Sequence, residues 1–118
     1  MTRKEFLQIV EESKIDEPIV ANIENLYGYS LPQIIKEMVS YSQDSIFFDD
    51  GYRTLSLSEI LEAEIDLHVD FVKYAMIPVI DCGDNDFVVY HFEECLWSKF
   101  NITDGSIFKR RKSLSELL

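Results

Sequence analysis

The sequence predicts one α+β domain, spanning residues 1–118, in which helices pack on one face of a sheet. Three strand-like apolar runs between residues 77 and 102 are separated by short turns, which predicts an antiparallel meander. Helical hydrophobic spacing dominates the first part of the chain. A chain of 118 residues that is 47% hydrophobic is typical of a single globular domain. Helices followed by a block of strands favour the α+β class.

Three helices are predicted in succession at the start of the chain. The first is expected over residues 3–13, where apolar side chains form one stripe. The second is expected to open at Asp16, a good N-cap, with Pro18 in its first turn. Its apolar residues recur with the spacing of one buried helical face, and Gly28 lies where a helix-ending glycine belongs. Ser30 and Gln33 then have the spacing of a capping box, which predicts a third helix.

A hairpin and a fourth helix are predicted in the middle of the chain. Apolar residues at 46–48 and a second run at 52–55 flank an Asp-Asp-Gly turn, as in a hairpin. Ser56 and Glu59 form a second capping-box pattern, opening a helix whose apolar face is expected to extend to Ile65. Residues 66–76 fit a strand and a helix equally well, and we expect them to be irregular and packed.

The meander is expected to occupy residues 77–82, 87–92 and 95–102. The first turn, at residues 83–86, is acidic and contains Gly, Asp and Asn, which tolerate positive φ angles, so it predicts a hairpin loop. Ser113 and Glu116 have the spacing of a third capping box, which predicts a short terminal helix.

The net charge of −11 is unevenly distributed. Residues 44–70 hold eight acidic residues against one base, Arg53, and residues 81–94 hold five acidic residues and no base. Such a surface repels nucleic acids and anionic membranes and attracts basic proteins. The alternative interpretation is that the acidity only keeps the protein in solution. The four consecutive bases at residues 109–112 are expected to be a solvated stretch or an internal partner for the acidic faces.

The sequence predicts a cytoplasmic protein that does not span a membrane. No apolar run approaches the ~20 residues of a transmembrane helix, and charged residues occupy the region where a secretory signal would be apolar. Cys82 and Cys95 are therefore expected to be reduced thiols, with a disulfide between them as the alternative.

No motif in the chain predicts an enzyme. His68 and His91 do not combine with the cysteines in any zinc-site spacing. Asp81, Asp84 and Asp86 resemble part of a calcium loop, but the EF-hand positions for glycine and the distal glutamate do not match. No serine lies in a nucleophile-elbow motif, and the four glycines form no phosphate loop. We therefore expect no catalytic residue, no cofactor and no metal. A hydrolase with an unrecognised site would need a pocket that holds Glu or His groups with strongly shifted pKa values.

Short motifs follow one another in a recognisable order. Residues 26–32 read LYGYSLP, residues 54–61 read TLSLSEIL, and residues 77–90 carry IPV, then Gly-Asp, then FVVY. Trp97 and Phe108 precede a closing SLSELL. In this order and spacing the chain resembles members of the SUKH superfamily over roughly residues 16–118. It departs from them after the third helix, where an Asn-Gly-Gly turn is common and this chain reads SQDS.

The resemblance implies an α+β fold with a mixed, largely antiparallel sheet. It also implies a bacterial immunity protein that binds and neutralises a toxin, often a nuclease. Fungal relatives act instead as regulators of cell-wall synthesis and signalling through protein contacts. Neither role needs a catalytic residue, and an acidic inhibitor suits a toxin with a basic active site through electrostatic steering.

The sequence thus predicts a non-enzymatic protein-binding module with a basic protein, a toxin domain, as its partner. A general interaction scaffold without a toxin partner is the alternative. The contacts are expected on the acidic rims of the meander and of the fourth helix, with an aromatic anchor if that side chain is exposed and not in the core. The predicted contact residues are Glu62, Asp66, Asp84, Asp86, Glu93, Glu94 and Trp97.

Overall fold

The structure, a computed structural model, describes residues 1–118 and has the predicted α+β class. Its helices are α1 (Arg3–Val10), α2 (Glu17–Tyr27), α3 (Gln33–Tyr41), α4 (Leu57–Leu61) and α5 (Ala63–Leu67), with a closing 3₁₀ turn at Leu114–Glu116. Its strands are β1 (Arg53–Thr54), β2 (Met76–Gly83), β3 (Asp86–His91), β4 (Leu96–Asn101) and β5 (Ile107–Arg111). The longest helix has 11 residues, and none is both long and apolar enough to cross a membrane.

The five strands form one sheet in the order β1-β2-β3-β4-β5. Every neighbouring pair is antiparallel, so the predicted meander of β2, β3 and β4 and the largely antiparallel character of the sheet are confirmed. The expectation of a mixed sheet is wrong, because no strand pair is parallel. The predicted hairpin before the fourth helix is present in minimal form. It consists of β1 and a single bridge from Phe47 to Arg53.

The two faces of the sheet are covered by different parts of the chain. Trp97 pairs with Tyr90, and both lie on the face that meets the helices, where Trp97 shares a surface cleft with Leu7 of α1 and Ile34 of α3. Side chains alternate along a strand, so Phe100 of β4 lies on the opposite face. There Phe71 packs edge-on against Phe100, with ring centroids 6.2 Å apart. The predicted helix layer is therefore confined to one face, and the irregular segment 68–75 covers part of the other.

Two of the predicted helix starts are confirmed in detail. Asp16 caps α2 by accepting a hydrogen bond from the backbone N–H of Ile19, and Gly28 ends α2 in the left-handed conformation at φ 80°. Ser56 and Glu59 form the predicted capping box on α4, in which each side chain accepts a hydrogen bond from the other residue's backbone N–H. These caps satisfy backbone donors that a helix cannot satisfy itself.

The other two capping-box predictions are wrong. Helix α3 begins at Gln33, after Pro32, and has no side-chain cap. A proline disfavours helical backbone at the residue before it, so the helix cannot start at Ser30. The N–H of Leu31 donates instead to Glu24 of α2 at 2.7 Å. At the C-terminus, Ser113 makes no cap bond, and the segment forms only a 3₁₀ turn.

The predicted fourth helix is shorter than its hydrophobic pattern suggested. The helix breaks at Glu62 into α4 and α5, and this break turns Ile65 away from the core. Ile65 is 76% exposed, so its assignment to the apolar face is wrong. Helix α1 likewise ends at Val10 and does not reach residue 13. Of the stretch 66–76 that was expected to be irregular, residues 68–75 are irregular and bury Phe71 and Ala75 in the core. The expectation is wrong at both ends, because Asp66 and Leu67 belong to α5 and Met76 begins β2.

Candidate functional site

The structure separates the predicted contact acids into two groups at opposite ends of strand β3. Asp84 and Asp86 belong to the β2–β3 end, which comprises residues 81–86 and the facing loop 101–106. Glu93 and Glu94 belong to the β3–β4 end, which comprises the turn 92–95, the segment 68–75 and helix α5. Strand β3 has six residues, so the two groups lie roughly 17–20 Å apart. One small partner surface therefore does not contact both groups as a single patch.

The β2–β3 end is a tight hairpin turn. Gly83 pairs with Asp86, and the two residues between them, Asp84 and Asn85, both have positive φ angles of 54° and 64°. Two central residues of this kind define the type I′ turn that joins antiparallel strands. Asn101 donates a hydrogen bond to the carboxylate of Asp86 at 2.8 Å. The hairpin-loop prediction is confirmed, and no group of three acidic, His or Cys side chains here or elsewhere is arranged to hold a metal ion.

A salt-bridge network holds the other acid of this end. Arg53 on β1 donates to both carboxylate oxygens of Glu59, at 2.8 Å each, and to Asp81 on β2 at 3.2 Å. The bidentate contact lowers the pKa of Glu59 to about 2. The network joins the sheet edge to α4, so Asp81 supports the fold. Arg53 is the only base within an acidic stretch, and that was the signal in the sequence that could have predicted the network.

The β3–β4 end combines acidic and aromatic side chains. The hydroxyl of Tyr29 donates to Glu93 at 2.9 Å, and the Tyr29 ring stacks on Phe92 with centroids 4.9 Å apart and an interplanar angle of 5°. The hydrogen bond to the carboxylate raises the pKa of Tyr29. The backbone N–H of Phe92 donates to the carbonyl of Ala75 at 2.8 Å, which joins the turn 92–95 to the segment 68–75.

Helix α5 and the segment 68–75 extend this surface. Glu64 accepts a hydrogen bond from the N–H of Val72 at 3.3 Å, so the segment folds back on α5. The exposed members of this surface include two large apolar side chains, Ile65 at 76% and Tyr74 at 59% exposure. Four predicted contact acids and one further acid of the same end are also exposed: Glu62, Asp66, Asp70, Glu93 and Glu94. Exposure of Ile65 and Tyr74 was not predictable from local sequence, because it depends on the break at Glu62 and on an irregular loop.

A cleft of about 330 Å³ opens on the sheet face and extends from the turn 92–95 to the loop 101–106. Met76, Phe100 and Ile107 form its apolar walls, and Tyr74 and Gly105 also line it. Its polar lining includes His91, which is buried, and Glu94, which is exposed. We call this the sheet-face cleft and use the name below for these residues.

His91 forms part of the wall of the cleft and is paired inside the sheet. Its Nε2 atom lies 2.7 Å from the hydroxyl oxygen of Ser98 on β4, and both side chains are buried. Burial lowers the pKa of His91, and Arg110 lowers it further, while the nearby Glu94 has an opposing, smaller effect than burial. Ser98 has no exposed surface, so its hydroxyl is not accessible to a substrate. The pair resembles a nucleophile and base in distance only, and mutual hydrogen bonding accounts for both buried groups.

Strand β5 carries the basic stretch and was not predicted as a strand. Lys109, Arg110 and Arg111 are exposed on the outermost strand, and Lys109 has a φ of 54° at an irregularity in the pairing with β4. Charges and irregularities of this kind discourage edge-to-edge pairing with another chain. Arg110 donates to Glu94 at 3.3 Å. The bases are thus solvated, and one of them pairs with an acidic face.

Trp97 is 4% exposed and belongs to the core. Its ring lies 4.9 Å from that of Tyr90. The core alternative for Trp97 is therefore the correct one, and the anchor role is wrong because a buried ring is not available to a partner.

The two cysteine thiols, Cys82 and Cys95, are free and lie at different ends of β3. Cys82 is half-buried near the β2–β3 end, where burial raises its pKa to about 11, and Cys95 is exposed at the β3–β4 end.

Comparison with known proteins adds no assignment. No family model matches the chain, and no curated protein matches it. The site is therefore interpreted from its own geometry, together with the motif order described above.

Proposed function

We propose that this protein is a non-enzymatic, cytoplasmic protein-binding module, and specifically a SUKH-type immunity protein that binds and neutralises a bacterial toxin. The observation that carries the proposal is the composition of the β3–β4 end. Exposed Ile65 and Tyr74 lie there in the same segments and turn as five exposed acids. The α+β layout and the order of motifs along the chain are consistent with the SUKH resemblance.

The mixture of exposed apolar and acidic side chains is what supports binding over mere solubility. Ile65 and Tyr74 are two of the three most exposed large apolar side chains of the protein, and both lie in the acidic segment 62–74. Interfaces combine a small apolar or aromatic centre with a polar rim, and tyrosine is enriched at their centres. The exposed acids of this end outnumber its two bases, Lys73 and Arg110, so the complementary partner is basic. A toxin that acts on nucleic acid presents such a basic surface to its substrate.

The first experiment is co-expression with the product of the adjacent reading frame, followed by affinity purification and an assay of that product's toxicity. The wild-type chain is expected to form a complex and to suppress the toxicity. The test variant neutralises the β3–β4 end, with Asp66→Asn, Asp70→Asn, Glu93→Gln and Glu94→Gln. The matched control neutralises four exposed acids outside both ends of β3, with Glu11→Gln, Glu12→Gln, Glu17→Gln and Asp44→Asn.

Electrostatic steering predicts a specific kinetic difference between these variants. The β3–β4 variant should associate at least about tenfold more slowly at low salt, and the control variant should be closer to wild type. The difference should shrink as ionic strength rises. If no basic protein binds and the neighbouring product is not toxic, the immunity proposal fails. A complex with a non-toxic partner would instead favour the alternative of a general interaction scaffold.

A further inference from the structure

The mouth of the sheet-face cleft already holds a guanidinium group of the protein itself. Arg110 donates to one carboxylate oxygen of Glu94 at 3.3 Å, and both side chains are about half exposed, at 51% and 54%. The other carboxylate oxygen of Glu94 makes no hydrogen bond within the chain. Exposed pairs of this kind contribute little to stability, so a competing cation can displace Arg110 at low cost.

The remaining lining suits the rest of a long cationic side chain. Met76, Phe100 and Ile107 provide apolar walls for an aliphatic stem. The Tyr74 ring is largely exposed, and Lys73 already lies with its ammonium nitrogen 5.9 Å from the ring centroid. An aromatic face beside a carboxylate is a favourable site for a cation. Two exposed bases of the chain itself therefore already lie against the groups that would receive it.

We propose that the sheet-face cleft receives one long cationic side chain, an arginine in preference to a lysine, from the basic protein partner. The inference rests on the proposed function, because it assumes a partner protein and assigns it a contact residue. Arginine is preferred because its planar guanidinium stacks on an aromatic ring and binds a carboxylate through two donors, whereas an ammonium does neither. In the complex the partner's guanidinium replaces Arg110 at Glu94 and lies against Tyr74.

The wall group His91 is compatible with this occupant. Its ring is buried and hydrogen-bonded to Ser98, and burial favours the neutral form, so it adds no positive charge against an incoming cation. The charged groups that the structure places at the mouth are Glu94, Arg110 and Lys73, so the partner's guanidinium enters by displacing Arg110 from Glu94 and Lys73 from the face of Tyr74.

The proposal is tested without the natural partner by NMR titration of the ¹⁵N-labelled protein. The probe is the peptide acetyl-Gly-Arg-Gly-amide, and the matched control replaces arginine with citrulline, which has the same shape and no charge. The arginine peptide is expected to shift the amide signals of Tyr74, His91, Glu94 and Ile107. The citrulline peptide should shift them several-fold less, and the lysine peptide should fall between the two.

Three substitutions are expected to weaken, strengthen and leave unchanged the binding of the arginine peptide, respectively. Glu94→Gln should weaken peptide binding about fivefold, and Arg110→Gln should strengthen it about twofold, because it removes the internal competitor. Asp44→Asn, at an exposed acid that does not line the cleft, should leave binding unchanged. A gain in affinity for Arg110→Gln cannot result from misfolding. Shifts spread over all acidic surfaces, equal binding of the citrulline peptide, or no effect of Glu94→Gln would each overturn the proposal.

The outcome is separable from that of the proposed function. If a toxin partner is found but Glu94→Gln and Tyr74→Ala bind it as the wild type does, the immunity function stands and the arginine site is wrong. If the arginine peptide binds in the cleft and no partner protein exists, the site is real and the immunity function is wrong.

Discussion

The two ends of strand β3 are both acidic, yet they hold their carboxylates in different surroundings. At the β2–β3 end, Asp81 pairs with Arg53 and Asp86 accepts from Asn101, so these acids shape a turn and join it to the sheet edge. At the β3–β4 end, Ile65 and Tyr74 are exposed in the same acidic segment, and Tyr74 lines a cleft. Clustered negative charge in a sequence therefore does not by itself distinguish carboxylates that are paired within the fold from carboxylates that are exposed near apolar side chains.

The two ends also differ in which residues adopt the left-handed backbone conformation. At the β2–β3 end the left-handed conformation is adopted by Gly83, Asp84 and Asn85, which tolerate it. At the β3–β4 end it is adopted by His68, Ala75 and Cys95, at a cost of about 1 kcal/mol each. Backbone strain is more often retained at functional positions than at purely structural turns. The β3–β4 end therefore carries more backbone strain than the β2–β3 end.

The largest expected effect concerns Trp97, which lies near the β3–β4 end but belongs to the core. Trp97→Ala should lower the free energy of unfolding by about 3–5 kcal/mol, because it leaves a large cavity between the sheet and the helices. Tyr74→Ala, at an exposed aromatic of the same end, should change it by no more than about 0.5 kcal/mol. Urea unfolding followed by circular dichroism measures both. Similar losses of unfolding free energy for the two variants would contradict the assignment of Trp97 to the core and of Tyr74 to the surface.

A smaller effect is expected at the network that supports the other end. Arg53→Ala should cost about 1–3 kcal/mol, since it leaves Glu59 and Asp81 without their charged donor. Arg53→Lys keeps the charge but not the two-donor contact and should recover only part of the loss. Glu59 has a folded pKa of about 2, below its ordinary 4.5. Its contribution is therefore present above pH 4.5 and is lost as the pH falls towards 2. Arg53→Ala should flatten that acid limb of the stability profile.

Substitution of an acidic residue should affect stability differently at the two ends. Asp86→Ala removes the acceptor of Asn101 and is expected to cost about 0.5–1.5 kcal/mol. Glu94→Ala removes only an exposed pair with Arg110 and should stay within about 0.5 kcal/mol. Thermal unfolding of both variants under identical buffer conditions makes the comparison. Equal destabilisation would mean that the acids of the β3–β4 end are structural as well.

Sequence patterns predicted the elements whose signals are local. Alternating apolar runs located β2, β3 and β4, and the caps at Asp16 and Ser56 located two helix starts. Strand β5 was missed because its exposed positions are basic and it pairs on one side only. The exposure of Ile65 and the burial of Trp97 depend on how distant segments pack, and no local pattern encodes that. The charge runs located both acidic ends but could not indicate which one also exposes apolar side chains.

The smallest expected effect is a pH dependence from His91 in the wall of the sheet-face cleft. Its folded pKa lies below its ordinary value of 6.5, so the unfolded chain binds a proton more readily than the folded one. The stability that neutral His91 contributes is complete above pH 6.5 and is lost as the pH falls through that value towards the folded pKa. His91→Gln retains a side chain able to hydrogen-bond Ser98 but cannot titrate, so its stability should change less between pH 7.5 and pH 5.5, a window of roughly one unit on each side of the ordinary histidine pKa. Equal changes of stability with pH in the wild type and in His91→Gln would show that the carboxylates alone set the pH dependence and that His91 does not contribute to it.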